Sequence, residues 1–236
     1  MNRRRFTTLA VGAGVAGTLA ALGLEGSRAE SEAAVLPDQP LPVPSNGFVR
    51  TAIAPGVNVI DLSGPWEAFQ DAAVAQAGGQ FELFTVAEST GAIDASGGLR
   101  IDAAYSYETA PQPNLVVVPA HDSSERTLAW LRRISRRADL VMSVCTGAFV
   151  VAGAGLLDGK TATTHHQSLD LLELSYPSIR VLRGKRFVEH ERVATAGGLS
   201  SGIDLALRVV ERYLGRAAAD ATAEYMEYGR RPLSIA

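Results

Sequence analysis

One cysteine, Cys145, stands in a chain of 236 residues, inside the stretch "LVMSVCTGAFVVAGAGLL" at 140–157. A lone cysteine forms no intrachain disulfide, so this thiol is a buried packing group, an intermolecular bridge or a reactive nucleophile. Its placement favours the nucleophile. The apolar run before it reads as a buried strand, and the small-residue run after it as a helix. A tight strand-to-helix turn projects its side chain outward, and the free N–H groups of a helix's first turn favour thiolate over thiol. Thr146 and Gly147 supply backbone donors where a developing oxyanion could bind. The chemistry implied is attack on an electrophilic carbon of a small-molecule substrate. The adjacent His165 and His166 diverge in any regular backbone. With no second cysteine, no metal site is expected. Neither GxGxxG nor GxxxxGK[ST] occurs, so no phosphate-bearing organic cofactor is expected.

The elements that must position this thiol alternate along the chain. Buried strands read at 48–55, 81–88, 114–120 and 139–144, the third nearly all apolar, as in a parallel sheet covered on both faces. Helices read at 64–77, with Pro65 in its first turn, and at 124–138, where Leu128, Leu131 and Ile134 share a face opposite arginines. A Gly-rich hairpin is expected over 91–106, and a helix over 146–157 that stops near "DGK". Another hairpin follows at 187–196, then a helix at 200–215 capped by a serine, and a last helix over 217–228. This pattern predicts an α/β fold: a three-layer, mostly parallel sheet flanked by helices. In such folds ligands bind at the carboxyl ends of the strands, where Cys145 falls.

Residues 1–29 read as an export signal. Arg3 and Arg4, with Phe6 behind them, resemble a twin-arginine signal. An apolar Gly/Ala-rich run covers 7–24, and the small residues Ser27 and Ala29 suit cleavage. The expected location is periplasmic or otherwise extracytoplasmic. A membrane is a partner only if the segment is retained as an anchor. Residues 30–47, with Pro37, Pro40, Pro42 and Pro44, read as an extended linker, and 48–236 as one domain. The formal charge is −3. Loss of residues 1–29 removes Arg3, Arg4, Arg5, Arg28 and Glu25, leaving 18 basic against 24 acidic residues and a charge of −6. That balance opposes nucleic-acid binding.

Three stretches carry a family resemblance: "SVCTGAFVVAGAGLLDGKTATTHH" around the cysteine, "NVIDLSGPWEAF" at 58–69, and "ATAGGLSSGIDLAL" at 194–207. They resemble the ThiJ/PfpI family, whose fold is flavodoxin-like and shared with class I glutamine amidotransferases, with the cysteine on a nucleophile elbow. The resemblance covers about residues 48–230. It implies that Asp61, four positions before Pro65, points at Cys145. A carboxyl group there should have a raised pKa and manage the substrate's proton. On the residues alone Asp61 also reads as a cap for the helix near 64. "CTG", "IDLSGP" and "MEYGRRP" (226–232) look most like isonitrile hydratases. The implied reaction converts an isonitrile to an N-substituted formamide through a Cys145 thioimidate, in a homodimer. The family core also forms the sensor half of AraC-like regulators, which need a helix-turn-helix that a chain ending at Ala236 is expected to lack. Glyoxal-type aldehyde chemistry and an exported redox or ligand sensor are the alternatives.

His165 matches the family's histidine, which pairs with the cysteine in some relatives and only lies nearby in others. His166 stands where relatives carry an aromatic residue and suits a pocket wall or the surface. Ala120 and His121 replace a glycine pair that relatives use in the oxyanion hole. That substitution would strain a position needing φ > 0, and His121 is expected either to face the site or to turn from it. Asp122 is expected to N-cap helix 124–138, assisted by Ser123 and Ser124, and Asp204 reads as a structural carboxylate or a late-helix pocket member, the structural role being favoured.

Overall fold

The structure, a computed structural model, describes residues 39–54, 58–75 and 80–229. The expected signal at 1–29 and the first half of the expected linker, 30–38, lie outside them. Chain order is β1 (Val49–Ile53), α1 (Val59–Ala75), β2 (Phe81–Ala87), β3 (Gly91–Asp94), β4 (Arg100–Ala103), β5 (Tyr105–Ser106), β6 (Leu115–Val118), α2 (Glu125–Ser135) and β7 (Leu140–Val144). Then follow α3 (Gly147–Gly153), β8 (Thr161–Ala162), α4 (Leu169–Ser175), β9 (Arg180–Val181), β10 (Phe187–Glu189), β11 (Val193–Ala196), α5 (Ser201–Leu214) and α6 (Arg216–Tyr225).

A seven-stranded sheet in the order β10-β11-β7-β6-β1-β2-β5 forms the middle layer. It is parallel except for β10, which pairs antiparallel with β11. Period-two alternation sorts its side chains into two cores. Leu115, Val117, Leu140 and Met142 pack with Phe69, Leu205 and Val209 from α1 and α5. Val116, Val118 and Val141 pack with Trp130, Leu131 and Val151 from α2 and α3. All of β6 and β7 is buried, which explains why those strands read as unbroken apolar runs. The expected three-layer α/β fold is the observed one.

Several local expectations are corrected. α1 begins at Val59, not 64, and carries Pro65 in its interior. Pro65 has no N–H for the Asp61 carbonyl, a tolerable loss so near the helix start. Asp61 therefore sits in the first turn and is not the cap. α3 stops at Gly153, four residues short of the expected end, and gives way to turns. The cap of α2 is Ser124, whose Oγ accepts from the N–H groups of Arg126 and Thr127 at 3.1 and 3.2 Å; Asp122 does not serve. Ser200 occupies the cap position of α5, yet its helical φ/ψ takes its side chain off the N–H groups. Residues 39–41 of the expected linker pack on the domain: Leu41 is buried and its N–H donates to the Arg212 carbonyl at 2.7 Å. Among the described residues, no helix is long and apolar enough to cross a membrane.

Candidate active site

Cys145 follows the last residue of β7, and Thr146 alone separates it from α3. Its φ is +58°, a left-handed conformation that L-residues rarely hold. The turn is fixed on both sides. The Cys145 N–H donates to the Gly197 carbonyl at 2.8 Å, and its carbonyl accepts from Thr164 Oγ1 at 2.8 Å. Gly147 is required by close approach: a Cβ there would lie 2.0 Å from the Val118 carbonyl oxygen. This contact presses the start of α3 against the end of β6.

Asp61 is completely buried beside the thiol. Its Oδ2 accepts from the Ala120 N–H at 3.4 Å. The Leu199 N–H, the Asn58 amide and the thiol also face the carboxyl group and favour its ionised form. None completes a full hydrogen bond to Oδ1, which has no partner. Burial outweighs these contacts and pushes the Asp61 carboxyl above its ordinary range. An unpartnered buried carboxyl oxygen next to a sulfur suits a group that takes up a proton and can then donate it.

The thiol differs from the sequence expectation. Burial pushes it up, and the neighbouring Asp61 charge pushes further in the same direction. The Thr146 N–H, pointing at the sulfur, and the Asn58 amide, 3.9 Å from Sγ, pull only partly back. Helix α3 has only seven residues, and its terminus does not overcome a buried carboxylate at close range. Asp61 thus opposes ionisation of the thiol, while the neutral thiol supports the Asp61 charge.

The remaining candidates separate. Ala120 contributes its N–H to Asp61, and neither Ala120 nor His121 takes a positive φ, so the replaced glycine pair causes no strain. His121 turns from the site. Its Nδ1 donates to the Pro119 carbonyl at 2.8 Å, and its ring lines a cavity of about 210 Å³ with Glu88, Tyr107, Asp122 and Thr127. Burial lowers its pKa, so the imidazole is neutral at pH 7. His165 packs its ring on Gly198, where a Cβ would come within 2.2 Å of Cδ2. Its Nδ1 accepts from the Gln167 N–H at 3.4 Å, and its ring lies tilted against that of His166, centroids 4.3 Å apart. No hydrogen bond joins His165 to Cys145 among the described residues, and His166 is exposed. A cavity of about 530 Å³ lies at the opposite, amino end of β7 and β11, by Val141, Lys160 and Arg192; it has no contact with this chemistry.

Asn58, Thr164, Gly197 and Leu199 were not singled out from the sequence. All four lie inside the quoted motifs, so their proximity was available, but not their direction. Among the described residues no group of three His, Cys, Asp or Glu side chains could hold a metal ion.

A model of the DJ-1/PfpI family matches residues 49–212. An isonitrile hydratase from Pseudomonas putida is 31% identical over 185 residues, covering 75% of this chain and 77% of that protein. The HTH-type transcriptional regulator CdhR of Pseudomonas aeruginosa is 30% identical over 145 residues, covering 59% of this chain and 43% of the regulator. A ThiJ/PfpI family protein from Pseudomonas syringae superposes with a TM-score of 0.70 at 26% identity, covering 80% of this chain and 79% of that one. DJ-1 from Schizosaccharomyces pombe, at 17% identity and TM-score 0.63, covers 78% of this chain and all of its own, and shares the fold.

Proposed function

The chain belongs to the DJ-1/PfpI family, and from that premise we propose that it is a cysteine-dependent enzyme that hydrates isonitriles to N-substituted formamides. The observation that carries the reading is the buried pair of Cys145, on its φ +58° turn, with Asp61. The similarity to an isonitrile hydratase over three quarters of the chain supports the choice of substrate.

The thiol passes its proton to Asp61, leaving thiolate beside a neutral carboxyl and removing the charge that opposed ionisation. Sulfur attacks the terminal carbon of R–NC while Asp61 returns the proton to that carbon, giving a thioimidate, Cys–S–CH=N–R. Water adds across the C=N bond, hydroxyl to carbon and proton to nitrogen. The hydroxyl proton then leaves through Asp61 as the C–S bond breaks, releasing R–NH–CHO and the free cysteine. The Thr146 N–H, already aimed at sulfur, favours the thiolate at both ends of this cycle. Arg3, Arg4 and the apolar run behind them support an exported enzyme.

The test is incubation of the protein and its Cys145→Ala variant with alkyl and aryl isonitriles, following formamide by mass. Formamide that depends on Cys145 is the expected result. Its absence with a folded protein overturns the hydratase reading and moves weight to a sensor role, which the similarity to CdhR favours.

A further inference from the structure

The turn at residues 197–200 supplies two contacts to the reactive pair. The Gly197 carbonyl accepts the Cys145 N–H, and the Leu199 N–H faces Asp61. Leu199 does this with φ +55°, so the turn holds a conformation it would not keep unaided. The restraint comes from outside the site. The Gly197 N–H donates to the Arg186 carbonyl at 2.9 Å, and Arg186 Nη2 donates to Ser200 Oγ at 3.3 Å. The guanidinium is fixed in turn by Asp204, with Nε donating to Oδ2 at 2.6 Å and Nη2 paired to the same carboxylate. Tyr228 closes the cluster: its hydroxyl donates to Asp204 Oδ1 at 3.0 Å and lies 3.4 Å from the Ser200 carbonyl and from Arg186 Nη2. Tyr228 belongs to the "MEYGRRP" stretch and follows Glu227, which also holds a positive φ of +53°.

We infer that Arg186, clamped by Asp204 and Tyr228, is a positioning residue that holds the Gly197–Ser200 turn against Cys145 and Asp61. The chain thereby uses a segment 83 positions beyond the nucleophile (Tyr228 against Cys145) to set the surroundings of its carboxyl. Asp61 is faced by the Ala120 N–H from the end of β6, the Leu199 N–H from the turn before α5, the Asn58 amide before α1, and the Cys145 thiol; of these the thiol alone titrates. Arg186 is faced by Asp204, Ser200 and Tyr228. The Arg186 side chain is half exposed, so its ion pair contributes little to global stability. Its effect belongs at the site. The inference rests on Cys145 and Asp61 being the reactive pair, and not on isonitriles being the substrate.

The experiment is a carboxyl ¹³C titration of aspartate-labelled full-length protein, with the Asp61 signal assigned by its loss in Asp61→Asn. In Arg186→Ala the turn loosens, the Leu199 N–H leaves the carboxylate, and the Asp61 midpoint shifts upward; Arg186→Lys restores part of the shift. Tyr228→Phe removes a single hydroxyl and gives a smaller upward shift. An Asp61 midpoint in folded Arg186→Ala equal to that of the parent overturns the inference. Should Arg186→Ala not fold, Tyr228→Phe decides in the same way: an upward shift supports the clamp, and an unmoved midpoint overturns it. No substrate enters the measurement, so a failed hydratase assay leaves its result intact.

Discussion

At the scale of single residues, the burial of Asp61 beside Cys145 governs what substitutions do. Burial raises Asp61 above its ordinary 3.8, so the folded protein binds that proton more tightly than the unfolded chain. Its contribution to stability is complete below pH 3.8 and declines as pH rises through the folded value. At neutral pH an ionised Asp61 is a liability to the fold. Asp61→Asn is therefore expected to melt higher than the parent at pH 7, with the gap closing toward pH 4; an equal or lower melting temperature at pH 7 contradicts this. The same variant should lose roughly 10²–10⁴-fold in formamide production, the usual contribution of a positioned acid–base group. The identity of this pair was legible in the sequence, Cys145 from its strand–helix junction and Asp61 from the motif around Pro65. The sign of the thiol shift was not. It depends on how deeply the two groups are buried and how near they lie, and neither distance nor burial is written in residue spacing.

The element scale turns on how α3 meets β6. A Cβ at position 147 would meet the Val118 and Pro119 carbonyls at 2.0 and 2.9 Å, and both are backbone with no rotamer to yield. Gly147→Ala should destabilise by about 3 kcal/mol or more, at the upper end of overpacking costs, and abolish Cys145-dependent activity; urea unfolding and the formamide assay read both. At α2, Ser124→Ala should cost about 1 kcal/mol, as the loss of a cap does, while leaving activity unchanged. Long apolar strands and amphipathic helices were legible because burial on two faces, or one stripe, writes itself into composition. The short pieces were not: β8 and β9 are two residues each, and α4 carries "LDLLELS", too short to show a period. The start of α1 was hidden by Pro65, which reads as a first-turn residue and in fact lies one turn further in.

Across the whole molecule, α5 is tied to the sheet edge by a buried ion pair. Arg212 Nη1 and Glu189 Oε1 lie 2.6 Å apart with both side chains at most 2% exposed, and Arg208 Nε donates to Glu189 Oε2 at 3.1 Å. Arg212 also donates to the carbonyls of Gln39 and Glu191. Glu189→Ala leaves the buried Arg212 guanidinium without its anion and should lower unfolding stability by about 3–5 kcal/mol, the usual cost of breaking such a pair from one side; urea titration at neutral pH measures it. Neither this pair nor the Arg186–Asp204–Tyr228 cluster was legible, since each joins residues that only the finished fold brings together.

Cys145, Leu199 and Glu227 are the non-glycine residues held at positive φ among those described. They mark the lone cysteine, the residue whose N–H faces Asp61 and the neighbour of Tyr228. Each such residue costs about 1–2 kcal/mol against a relaxed backbone, and that energy returns when its turn lets go. Amide hydrogen exchange should consequently reach Cys145 and Leu199 through small, frequent openings, while Val141–Val144 exchange only when the sheet itself comes apart. On that expectation the turn that carries the lone thiol opens far more often than the sheet beneath it.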